Sequence, residues 1–390
     1  MGIPEQESGR GVSGLTQRAL GIDPGTVSFD VCGRDGDRLL LDETFSTVEA
    51  GAHPGRIVDL LKSVGPVDII VGPSGYGLPW VSIEEAGSAE FDLLLLGDAE
   101  DGLGGTIVEG MGRILRALKE SGLPICFAPG VIHLLTVPDH RKVNRIDMGT
   151  ADKLCAVALG VWDQSRRFGV HYDQTSFVYV EIGGAFTAVI AVEGGMVVDG
   201  SGGTSGAMGY RCLGAMDGEL AYLLGAFPKG DLATGGVAWI AGSPERSPDE
   251  LVSSVATDRH AAVAWEAFLE DVTKRVAGEM TVLAAPREIL LSGRLSRVPE
   301  IYRRVTRRLS SFAPVRRVEG YASVSKEASQ GAALIGQGLV GGPLEDLVEA
   351  MGLRGARGSV LDHLYVRKAE DVRRRHHQRE SGPAHFRQRS

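Results

Sequence analysis

Residues 19–45 constrain this chain most. Ala19-Leu20-Gly21-Ile22-Asp23 is a short apolar run ending in an acid, which turns on Pro24-Gly25-Thr26 and resumes as Val27-Ser28-Phe29-Asp30-Val31. Asp35-Gly36 is a hairpin signal, and a third strand-like run, Leu39-Leu40-Leu41, follows it. Where a strand gives way to a glycine turn, backbone N–H groups can approach phosphate, and a neighbouring carboxylate can hold a divalent cation or its waters. Asp23 is the residue so placed. The plain alternative is that Gly25 only makes the turn and Asp23 only caps it.

The pattern recurs. Ser176 to Glu181 is again a strand ending in an acid, Ile182-Gly183-Gly184 turns, and Thr187 to Val192 resumes the strand before Glu193-Gly194-Gly195. The two hairpins lie about 160 residues apart, roughly one domain length. A third glycine turn, Leu290-Leu291-Ser292-Gly293-Arg294, passes from an apolar strand into a segment compatible with a helix. Two phosphate hairpins and a later strand–Gly–helix turn describe a nucleotide cleft between duplicated domains. Gly183 and Gly184 would serve through their N–H groups. Thr26 and Thr187 would donate hydroxyls to phosphate, or simply suit strands.

With this order of motifs along its whole length, the chain resembles the acetate and sugar kinase/heat-shock chaperone/actin superfamily. A closer resemblance rests on three strings: Arg141 to Lys153, Gly200 to Gly206 with Leu213 to Glu219, and Glu327 to Ile335. These are similar to a largely prokaryotic branch described as predicted butyrate kinase. The resemblance implies an α/β fold of two duplicated ribonuclease-H-like (actin-like ATPase) domains with an interdomain cleft for ATP and Mg2+. It implies Asp23 and Glu181 as the metal's acids, Glu181 standing where the superfamily more often has Asp. Gly293 would admit the base or ribose, flanked by Ser292 and Arg294, with Arg294 free to stack on a base or to remain solvated. Asp147 resembles the acid that related kinases turn toward the acceptor. A hydroxyl acceptor needs such a base, whereas an ionised carboxylate needs cations instead, for which Arg141, Lys142, Arg145 and Lys153 are nearest. The run through Gly202, Gly203 and Thr204 reads as an anion nest beside the substrate.

Composition agrees with this reading. With 390 residues, 43% hydrophobic, and no uninterrupted apolar stretch near a membrane span, two soluble cores are expected. No signal-like start is seen and the four cysteines are scattered singly, so a cytoplasmic protein without disulfides is expected. The net charge is −9, but residues 367–390 carry eight Arg and Lys against three acids, leaving the body at −14. That distribution disfavours nucleic acid as a partner, and with it a Holliday-junction resolvase, although those nucleases also begin Gly-Ile-Asp-Pro-Gly-Thr. Lone cysteines likewise disfavour an iron–sulfur dehydratase activator. The expected partner is a small molecule, with no membrane, and a homodimer is left open. A nucleotide-binding regulator or ATPase of the same fold is the alternative to a kinase.

The expected organisation is a disordered stretch at 1–16, domains at 17–168 and 169–342, an extension at 343–366 and a basic disordered tail at 367–390. Tyr76 to Gly105 reads as a long irregular segment. Thr150 reads as the N-cap of the helix that follows it.

Overall fold

Alternation along the first strand of each half decides how the molecule is assembled. The computed structural model describes residues 17–25, 27–72, 75–96 and 105–377. The first half runs β1 (Arg18–Pro24), β2 (Ser28–Asp35), β3 (Arg38–Ser46), α1 (Thr47–Ala52), α2 (Pro54–Ser63), β4 (Ile69–Gly72), α3 (Ser88–Leu95), α4 (Gly105–Glu120), β5 (Ile125–Phe127), α5 (Asp139–Lys142) and α6 (Ala151–Phe168). The second runs β6 (Ser176–Ile182), β7 (Thr187–Glu193), β8 (Met196–Ser201), α7 (Gly218–Leu224), α8 (Val237–Ile240), α9 (Pro248–Ser253), α10 (Arg259–Met280), β9 (Glu288–Ser292), α11 (Pro299–Leu309), β10 (Val315–Arg317) and α12 (Glu327–Leu339). Two further helices follow, α13 (Glu345–Ala350) and α14 (Ala369–His377).

The strand orders are β3-β2-β1-β4-β5 and β10-β9-β6-β7-β8. In each sheet three strands form an antiparallel meander, and two more join parallel to its first strand. The topology is therefore duplicated, in the mixed sheets characteristic of ribonuclease-H-like domains.

On β1, Leu20 and Ile22 enter a core shared with Ile57 and Leu61 of α2 and Ile114 of α4. Ala19, Gly21 and Asp23 take the opposite face, because successive strand residues alternate. That face is nearly flat, and α12 lies directly on it: a Cβ at Gly21 would stand 2.1 Å from the Ser329 carbonyl oxygen. On β6, Val178, Val180 and Ile182 enter the outer core with Trp265 and Phe268 of α10. Phe177 and Tyr179 face inward, packing with α6 and α12 in a central core between the sheets. Although α12 follows the second sheet in sequence, it packs on β1, β2, β4 and α6.

Two local expectations are corrected. The irregular segment after Tyr76 contains α3, whose entry is fixed by the Glu90 carboxylate accepting from the Gly87 N–H at 2.8 Å and whose Leu94 is fully buried. The tail is helical over α14, because Ala369 is buried and Arg373 donates to the carbonyls of Leu361 and Leu364 at 3.0 and 2.7 Å. Residues 1–16 and 378–390, for which disorder was expected, lie outside the described residues. Among the described residues no helix is long and apolar enough to cross a membrane. All four cysteines are free thiols.

Candidate active site

Antiparallel register sets Asp23 directly opposite Asp30. Both carboxylates therefore lie on the α12 side of the sheet, where like charges facing each other repel. Lys326, the residue that opens α12, resolves the conflict. Its Nζ lies 2.9 Å from Asp30 Oδ2 and 3.9 Å from Asp23 Oδ2, and the Ser28 hydroxyl donates to Asp30 at 2.8 Å. Asp23 is only 5% exposed. Burial pushes its carboxyl up to about 7, against the opposing pull of Lys326.

The second half repeats this arrangement. Alternation from Phe177 and Tyr179 brings Glu181 to the inner face, where it meets the first turn of α6. Lys153 Nζ lies 2.8 Å from Glu181 Oε1 and 2.5 Å from Asp152 Oδ2. Burial alone would favour the neutral amine, but Asp152 and Glu181 outweigh it and hold Lys153 protonated. Each central helix thus delivers a lysine from its N-terminal end to the acid that closes the first strand of one sheet.

These groups line a cavity of about 310 Å³, with Gly25 and Val27 of the first hairpin, Gly183 and Gly184 of the second, and Gly293 and Arg294 of the third turn. The hairpins face each other closely, a Cβ at Gly184 lying 3.9 Å from Val27 and 4.0 Å from Arg294. Tyr76, Leu94, Leu95 and Phe186 form an apolar wall of the same cavity. Lys229 stands at that wall, over the Tyr76 ring at 5.0 Å and donating to the Leu96 carbonyl at 3.2 Å.

Asp147 also lines the cavity, 5% exposed. The Thr204 N–H and hydroxyl donate to its Oδ2 at 2.9 and 2.8 Å, and the Gly149 N–H donates to Oδ1 at 3.2 Å. Gly202 must be glycine here, since a Cβ would fall 1.7 Å from Asp147 Oδ1. The glycine run is therefore built around Asp147, and Gly203 and Thr204 reach the cavity while Gly202 does not.

Several expected roles change. The Gly25 N–H bonds to the Asp23 and Ser28 carbonyls and the Gly183 N–H to the Phe186 carbonyl, so both are spent inside their own turns. Thr187 and Ser292 do not line the cavity: each is almost wholly buried within its sheet, with its hydroxyl unpartnered. Thr26 lies outside the described residues. Gly293 lines the cavity, and with φ +81° and a Cβ that would meet the Ile182 carbonyl oxygen at 2.5 Å it must also be glycine for its contact with β6. Thr150 occupies the N-cap position, but its hydroxyl donates to Asp152 instead of accepting from the helix. Of the four cations considered for the acceptor, only Lys153 reaches the cavity. Lys142 is buried with its ammonium on the Leu134 carbonyl, and Arg141 donates to Val198. Lys326 and Asp152, which no motif in the sequence singles out, join the site through their ion pairs.

Four carboxylates, Asp23, Asp30, Asp152 and Glu181, surround two ammoniums, an excess of two negative charges when all are ionised. A divalent cation fits that excess. Among the described residues no group of three or more His, Cys, Asp or Glu side chains forms a metal cage. Mg2+ does not need one, since it commonly takes one or two carboxylates, waters and phosphate oxygens. Asp23 and Asp152 fit the role, being on the cavity and within electrostatic reach of one another. Glu181 lines the cavity as well, and Lys153 holds its carboxylate as it holds that of Asp152.

The fold is similar to that of acetate and propionate kinases of known structure. A propionate kinase from Francisella tularensis subsp. tularensis SCHU S4 is similar with TM-score 0.57 and 14% identity, over 80% of this chain and 98% of that one. Acetate kinase from Porphyromonas gingivalis is similar with TM-score 0.54 and 14% identity, over 81% and 98%. Acetate kinase from Entamoeba histolytica is similar with TM-score 0.54 and 10% identity, over 75% and 86%. The chain belongs to the family described as "Protein of unknown function (DUF1464)", whose model matches residues 21–366. No curated protein matches it.

Proposed function

We propose that this protein is an ATP- and Mg2+-dependent phosphotransferase acting on a small molecule. The observation that carries the reading is the convergence of both acid-bearing hairpins, Arg294 and two fixed lysines on one cavity. Phosphoryl transfer is mostly positioning and charge stabilisation, which these residues supply. Mg2+, when bound, would neutralise phosphate charge beside Asp23 and Asp152. Lys153 and Lys326 would bind phosphate oxygens in place of the Gly25 and Gly183 N–H groups, which bond within their own turns. Arg294 would lie along the nucleotide.

At the other end, Leu94, Leu95 and Phe186 suit a short aliphatic acceptor, in keeping with a butyrate kinase-like substrate and with the acetate and propionate kinases of similar fold. Asp147 would instead serve a hydroxyl acceptor. Its three hydrogen bonds from the glycine loop and from Gly149 favour a second reading, a nucleotide-binding regulator or ATPase in which Asp147 anchors the loop. The test is phosphate transfer from ATP–Mg2+ to a panel of short-chain acids and alcohols, run beside ATP hydrolysis alone. Transfer supports the kinase. ATP binding or hydrolysis with no transfer to any acceptor supports the regulator.

A further inference from the structure

The pairing of Asp23 with Asp30 has no purpose in the strand ladder, where opposed carboxylates weaken it. A lysine from another part of the chain, about 300 residues away in sequence, is brought between them. Lys326 stands there because Ala19 and Gly21 leave the sheet flat enough for α12 to descend, which points the start of the helix at the last inward residue of β1. Its ammonium rests against the first hairpin: a Cβ added to Gly25 would lie 2.9 Å from Nζ. It is 27% exposed and borders the cavity, so the same charge faces two carboxylates on one side and the hairpin turn on the other.

We propose that Lys326 makes the first hairpin take metal and phosphate together and neither of them well alone. In the empty cleft the ammonium occupies the electrostatic position beside Asp23 and Asp30 that would otherwise draw a divalent cation. When phosphate arrives, the same ammonium becomes its ligand, and the carboxylates it had compensated are left for the metal. Lys326 is thus a specificity residue for the metal–nucleotide complex. This rests on the reading that nucleotide binds between the hairpins. It adds a coupling between metal and phosphate that the reading does not require.

The test is calorimetric titration of the full chain with Mn2+ alone, with ATP in chelator, and with Mn2+–ATP. Lys326→Met should bind Mn2+ alone about tenfold more tightly than wild type and metal-free ATP about tenfold more weakly, opposite signs that a merely structural role cannot give. Lys326→Arg, which keeps the charge, should stay close to wild type in both. Should Lys326→Met fail to fold, Lys326→Gln carries the same contrast. Mn2+ affinity unchanged or lowered in the neutral variant, with Mn2+–ATP still bound by wild type, would overturn the coupling and leave the kinase reading intact. Failure of wild type to bind Mn2+–ATP would overturn both.

Discussion

Lys153 Nζ and Glu181 Oε1 lie 2.8 Å apart and join the start of α6 to the end of β6, across the boundary between the two halves of the chain. Neither side chain is more than 15% exposed, so the contact is poorly screened. Replacing one partner leaves the other charge uncompensated. Lys153→Met should destabilise the protein by roughly 1–3 kcal/mol in urea unfolding, and the Lys153→Met/Glu181→Gln double variant should recover part of that loss. Strict additivity of the two single variants would show that the pair carries no coupling.

Asp23→Asn should reduce Mg2+-dependent turnover by about a hundredfold or more while the fold persists. It should also stabilise the metal-free protein at high pH. Burial holds the folded carboxyl at about 7 against its ordinary 3.8, so the folded state binds the extra proton between those values. Stability then falls as pH rises through that window and is flat above it. The asparagine variant should lack this fall, giving a gain of roughly 1–3 kcal/mol at pH 8 and little at pH 4. Denaturation of both proteins in chelator at the two pH values decides the matter.

Glu279, which does not line the cavity, should behave in the same direction. It is 8% exposed, its Oε2 has no hydrogen-bond partner, and burial followed by the nearby Asp199 pushes its carboxyl up to about 8. Stability linked to this group is retained at acid pH and lost as pH climbs from about 4.5 to about 8. Glu279→Gln should therefore raise the melting temperature at pH 8.5, leave it nearly unchanged at pH 5, and not alter ATP affinity. An equal shift at both pH values would refute the titration.

Gly293 and Arg294 are neighbours with separable effects. Gly293→Val forces a branched residue into φ +81° and against Ile182, so a drop of several degrees in melting temperature is expected whether or not nucleotide is present. Arg294→Ala should leave melting unchanged and weaken ATP binding by about three- to tenfold, as loss of a stacked or phosphate-directed guanidinium would. Calorimetry with ATP on each folded variant distinguishes the two.

Asp147→Ala tests whether the glycine loop's anchor is also a catalytic group. If the acid serves the acceptor, transfer should fall about a hundredfold or more with ATP affinity within about twofold. Thr204→Val removes one donor to the same carboxylate and should produce a smaller loss, so equal damage from both would mark Asp147 as a loop anchor only. Thr150→Ala, with no capping bond to lose, should cost well under the ~1 kcal/mol of a true cap.

Much of the secondary structure was legible because it is local: β1 to β3, the hairpin at Glu193-Gly194-Gly195, and α6, α10 and α12 each follow from apolar periodicity and glycine punctuation. Asp23, Glu181 and Asp147 could be picked out for the same reason, since each borders a glycine turn. Lys326 could not, because a lysine before a helix is unremarkable and its meaning comes from strand register between Asp23 and Asp30. Thr187 and Ser292 border glycines in sequence without bordering the cavity, because their side chains are buried against the faces of their strands. In α3 and α14, helices form where composition suggested none, held by a capping carboxylate in one and by Arg373 reaching back to earlier carbonyls in the other.

The seating of α12 on β1 has a consequence for how this chain can be divided. The helix that lies on the first sheet, and the lysine beside Asp23, come from residues 326–339, made after the whole of the second sheet. A fragment ending at residue 168 would expose Ala19, Gly21 and the inner face of α6 to water and leave Asp23 facing Asp30 without a cation. The repeat seen in the strands is therefore not a pair of separable units, and on the ribosome the first cleft-bearing half stays incomplete until the second has nearly been synthesised.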